Sequence, residues 1–67
     1  MLDFCKNVLL KVSFSKWLFR KELTKATRWL NQKERLMLKA WCLSTFGAHY
    51  KDTILEVFRQ IPVDQLS

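Results

Sequence analysis

Apolar side chains recur three and four positions apart through four successive segments of this chain, the spacing that gathers them onto one face of an α-helix. In the first segment, residues 2–12, Cys5, Val8, Leu9 and Val12 form one stripe while Asp3, Lys6, Asn7 and Lys11 lie opposite. In the second, residues 16–30, the stripe is Phe19, Leu23, Ala26 and Leu30. Ser13 or Ser15 can accept a hydrogen bond from the free N–H groups that open the second helix, with Phe14 packing beside the junction. Asn31 followed three residues later by Glu34 has the spacing of a capping box, with Asn in place of Ser or Thr, so a third helix is expected to begin at Gln32. Its centre, residues 36–43, is apolar around most of its circumference, which predicts the central element of the fold.

Gly47 decides the helix count. By taking the left-handed backbone conformation that other residues avoid, it can end the third helix. A link around Ala48 and His49 then leads to a fourth helix near residues 50–61, with Tyr50, Ile54, Val57, Phe58 and Ile61 opposite Asp52, Glu56, Arg59 and Gln60. Pro62 stops that helix and residues 63–67 form a short tail. In the competing reading, Leu36, Ala40, Leu43, Gly47, Tyr50, Ile54, Val57 and Ile61 alternate four and three residues apart, as on one unbroken helix with Gly47 at a close crossing. An interior Gly costs only about 1 kcal/mol relative to Ala. The break is preferred. The expected fold is all-α, a small compact bundle of four helices (three if the helix runs through Gly47), in a single domain over residues 1–67.

Composition agrees with that class. One Gly and one Pro in 67 residues cannot furnish the turns of a sheet protein, while 49% apolar residues can fill a core. So short a chain has room for one core only. Cys5 and Cys42 are read as reduced, buried thiols in a cytoplasmic protein.

Few chemistries fit these residues. His49 is the single histidine, and Cys42 lies seven positions before it, about 10 Å along a helix, too far for direct proton transfer. Ser44, His49 and Asp52 supply triad residue types without a strand-to-helix elbow or a Gly-rich oxyanion loop. Two Cys and one His fall short of the ligands a structural zinc needs, and a single Gly excludes a Gly-rich phosphate loop. No enzyme activity, metal or cofactor is expected. No uncharged apolar run is long enough to cross a bilayer. Attachment of the first helix to a membrane surface ranks low, because its polar face holds only two Lys and one Asp.

Two surfaces invite a function. The net charge of +6 is concentrated in residues 1–30, where seven Lys or Arg face only Asp3 and Glu22. On the outer face of the second helix Lys21, Lys25 and Arg28 project together, Lys16 and Arg20 lie toward one edge, and Trp17 and Trp29 flank the ridge. Cations beside aromatic rings can neutralise phosphates and stack bases, so nucleic-acid binding through Lys16, Trp17, Arg20, Lys21, Lys25 and Arg28 is the alternative reading. The leading one starts from the apolar residues that single stripes leave over: Leu10, Leu18, Trp29 and Leu38. A small monomer has few elements to cover them, which predicts a non-catalytic protein-interaction or homo-oligomerising module whose partner is a second copy or another protein.

Overall fold

A computed structural model of the protein describes residues 1–59, which form three helices: α1 (Leu2–Val12), α2 (Lys16–Trp29) and α3 (Gln32–Arg59). No strand occurs among the described residues. The expected helix end at Ile61 and Pro62 and the tail of residues 63–67 lie outside them.

Local chemistry sets both connections. Ser15 caps α2 from an extended backbone (φ −129°, ψ 119°), and its Oγ accepts from the Leu18 N–H at 3.4 Å. Ser13 stays helical and donates its hydroxyl to the Leu10 carbonyl at 3.0 Å. Phe14, between them, is strongly exposed rather than packed at the junction. The capping box at the start of α3 closes in both directions: Glu34 N–H donates to Asn31 Oδ1 at 2.8 Å and Asn31 N–H donates to Glu34 Oε1 at 3.3 Å.

The stripes expected for the first two helices meet in the core. Cys5, Leu9, Phe19, Leu23, Ala26 and Leu30 are all buried, with Val12 packed against them; Val8, expected in the same stripe, is only half-buried and lies outside this cluster. The central helix is α2 rather than α3, since α2 packs extensively on both neighbours while α1 and α3 meet only at a margin. A Cα radius of gyration of 11.0 Å matches the roughly 11 Å of a compact globule of this length.

Helix α3 corrects two expectations. The preferred break at Gly47 does not occur: the helix is continuous there, Gly47 has no positive φ, and a Cβ on it would meet nothing within 4 Å. Neither a left-handed stop nor a close crossing is at work; the bundle has three helices, the alternative count, and the third is kinked at Tyr50, where the fourth segment was expected to begin. The inward face is also rotated. Leu36 is 63% exposed, whereas Leu38, expected to be surplus, is fully buried with Cys42 and, nearly so, Phe46. The cause is Arg35, whose Nε donates to the Thr27 carbonyl at 2.6 Å. That carbonyl belongs to the last turn of α2, where helical partners run out and a cation is favoured. Counting from Arg35, Leu38, Cys42 and Phe46 follow at three, seven and eleven residues, one helical face, so anchoring Arg35 turns all three inward.

A stripe that repeats every four residues walks around a straight helix by about 40° per repeat, or about 160° between Leu38 and Ile54. Tyr50 corrects the drift. Its backbone leaves the helical region (φ −124°, ψ 20°), kinking α3 so that Thr53, Ile54 and Val57 are buried again. The Tyr50 ring stacks on Phe19 with centroids 4.7 Å apart, and its hydroxyl donates to the Ser13 carbonyl at 2.5 Å. Phe46 meets Phe19 edge-on at 5.0 Å and Trp41 at 5.5 Å, which completes an aromatic cluster between α2 and α3.

Two substitutions check this account by urea denaturation. Gly47→Ala should stabilise the protein by about 0.5–1 kcal/mol, since it removes backbone entropy from the unfolded chain and adds a methyl group to open space. A loss would restore the break. Leu38→Ala should cost about 2–5 kcal/mol, as for other large buried aliphatics, whereas a solvent-facing Leu38 would give a change near zero.

Candidate interaction surfaces

Helical spacing gives α2 three working faces. Phe19, Leu23, Ala26 and Leu30 face the core. Leu18, Glu22, Lys25 and Trp29, spaced four, three and four apart, flank α1, and Trp17, Lys21, Thr24 and Arg28 point directly outward.

Between α1 and α2 the second face borders an apolar pocket of about 120 Å³, lined by Phe4, Cys5, Val8, Glu22, Lys25, Ala26 and Trp29. Buried Cys5 and Ala26 form its floor, and its aromatic sides stay open: Phe4 is 56% and Trp29 52% exposed. Glu22 and Lys25 pair loosely at 3.9 Å beside it. Of the four residues expected to form an interaction surface, Trp29 lines this pocket and half-buried Leu18 lies on the same flank of α2. Leu10 is half exposed on the far side of α1, turned away from its buried Cys5 and Leu9 stripe. Leu38 belongs to the core and cannot meet a partner. Phe4 is absent from the expected stripes, and Val8, expected on the core stripe of α1, lines this pocket instead. Their four-residue spacing puts them on one flank of α1, but only the pairing of α1 with α2 shows that Trp29 stands opposite.

On the outward face, Trp17, Arg20, Lys21, Thr24, Lys25 and Arg28 border an open trough of about 510 Å³. This gathers five of the six residues expected for nucleic-acid binding. The sixth, Lys16, is exposed at the start of α2 without lining the trough. The cations are not equivalent. Arg20 Nη1 is paired with Glu56 Oε1 of α3 at 2.8 Å, so it ties two helices together. Lys21 sits over the Trp17 ring, its Nζ 5.2 Å from the centroid, while Lys16, Lys21 and Arg28 carry no ion pair among the described residues. Trp17 is 67% exposed. A second cation–π contact, Lys6 over Trp41 at 5.6 Å, joins α1 to α3.

No family model, curated protein or solved structure matches this chain.

The thiols are poor nucleophiles. Cys42 is a free, fully buried thiol whose pKa is pushed up to about 12 by burial, partly opposed by the nearby Lys6 charge. Burial also raises Cys5, against the pull of the N-terminal ammonium. Both stay protonated near neutrality, the unreactive form. His49 is exposed while Cys42 points into the core. Among the described residues no three His, Cys, Asp or Glu side chains come together in a group that could hold a metal ion, and no helix is long and apolar enough to cross a membrane.

The raised Cys42 pKa fixes a pH dependence. Folding favours the protonated thiol, so this stabilisation is complete below the ordinary thiol value of 9.0 and is lost as pH rises from there toward about 12. The thermal midpoint of the native protein should therefore fall faster above pH 9 than that of a Cys42→Ala variant, measured by circular dichroism. Parallel curves would show that Cys42 ionises as freely in the fold as outside it.

Proposed function

We propose that this protein is a non-catalytic interaction module that docks a partner polypeptide, either a second copy or another protein, on the flank formed by α1 and α2. The observation that carries this reading is the pocket walled by Phe4 and Trp29, each more than half exposed above a floor of buried side chains. A folded monomer gains nothing from leaving two large aromatic rings in water beside an apolar hollow, and each would release ordered water on being covered. The hollow takes about one apolar side chain. Tryptophan beside such a hollow is the residue type that most often dominates binding energy, because it buries a large area with few rotatable bonds. Glu22 and Lys25 on the rim supply charges of both signs to orient the incoming chain. Two free thiols held protonated in the core suit a reducing, cytoplasmic setting.

Light scattering across a range of concentrations tests for a second copy, and affinity capture from the native cell, with and without nuclease, tests for another protein. The expected result is a dimer or a nuclease-resistant partner that Trp29→Ala weakens by about 30-fold or more, the consequence of losing roughly 2 kcal/mol at an anchor. A protein that stays monomeric and captures nothing that Trp29→Ala fails to capture would overturn the proposal.

A further inference from the structure

The outward ridge of α2 takes no part in the α1–α2 flank apart from Lys25, and it has a different chemistry. We infer that it is a second binding site, and that its ligand is single-stranded nucleic acid, held by Lys21, Lys25 and Arg28 along the phosphates and by Trp17 against a base.

Three features of the ridge select that ligand. Charge comes first: four of the six residues bordering the trough are cations, none is an acid, and the open shape admits a chain passing through. Arg20 is held by Glu56, whereas Lys25 is held only by the 3.9 Å contact to Glu22 and has a half-exposed side chain. That leaves Lys21, Lys25 and Arg28 to bind an anion.

Geometry comes next. Lys21 and Lys25 are separated by about 6 Å along the helix axis and Lys25 and Arg28 by about 4.5 Å. This is a line of positive charge with steps comparable to those between neighbouring phosphates of an extended strand. A linear polyanion matches a line of cations; a lipid surface would need a broad apolar face beside them, and Trp17 is the single large apolar residue of the trough.

Aromatic placement is the third. Trp17 stands at one end of the line, 67% exposed; Lys21 Nζ lies over one face, 5.2 Å from the ring centroid, so a base would stack on the opposite face. An exposed indole at the end of a phosphate track is a stacking platform for an unpaired base. Bases inside a duplex are already stacked on their neighbours and cannot use it.

Fluorescence anisotropy with a labelled twelve-nucleotide oligothymidine and an oligouridine of the same length tests the inference on the full chain, starting at low ionic strength. Binding should weaken with added salt along a log–log slope of about −2, the value for three phosphate contacts on a single strand. The Lys21→Ala/Arg28→Ala double variant should flatten that slope to about −0.7. Trp17→Ala should weaken binding roughly ten-fold or more. These side chains are exposed, and circular dichroism verifies that each variant remains helical. Trp29→Ala should leave the affinity unchanged, which separates this site from the α1–α2 flank. Any of several results would overturn the inference: no anisotropy change at low salt, a salt-independent affinity, ridge variants that bind as well as the native protein, tighter binding to a duplex of the same length, or binding to phosphatidylserine vesicles without binding to the oligonucleotides.

Discussion

The hydrogen bond from Arg35 Nε to the Thr27 carbonyl joins the first turn of α3 to the last turn of α2 across a sequence separation of eight, and the orientation of the whole third helix follows from it. With the capping box holding Asn31 and Glu34 just before it, the chain enters α3 at one rotational setting. Leu38, Cys42 and Phe46 then have no choice of direction. The contact is not free of cost, because Arg35 Nη1 is buried without a hydrogen-bond partner among the described residues. A buried donor left unmatched costs about 1–3 kcal/mol, so the clamp is worth keeping only because the packing it directs is worth more.

At the other end of α3 the same problem is solved by aromatic packing. A long helix whose core positions recur every four residues must turn away from its neighbour unless something unwinds it. Tyr50 does so at a single residue, and it is held there from two sides, by ring stacking on Phe19 and by its hydroxyl on the Ser13 carbonyl. The Arg20–Glu56 pair lies beyond the kink and fastens the last turns of α3 to α2. Helix α3 is thus a brace attached near both ends of α2, with its bend between the attachments.

Much of this was legible in the residues, and what was not has a physical cause. The stripes of α1 and α2 and both helix starts depend on neighbours within about four positions, which periodicity and capping capture directly. The inward face of α3 depends on a contact between helices made by a charged residue, Arg35, which apolar spacing does not register. Phe46 was lost with it, since it fell outside the stripe through Leu36, Ala40, Leu43 and Gly47. Gly47 misled because glycine is only permissive: it allows a helix to end without requiring it. The basic ridge was readable for the same reason as the stripes, as one helix face defines it. The pocket at Phe4 and Trp29 was readable only in half, for it takes two helices to make it.

Lys25 borders both the apolar pocket and the outer trough. Its ammonium can lean toward Glu22 on one side or toward an anion on the other, but a single side chain occupies one position at a time. If both proposed sites bind their ligands, filling either would alter the wall of its neighbour, and by thermodynamic reciprocity the influence would run equally in both directions. One lysine is thus a wall common to the two proposed sites.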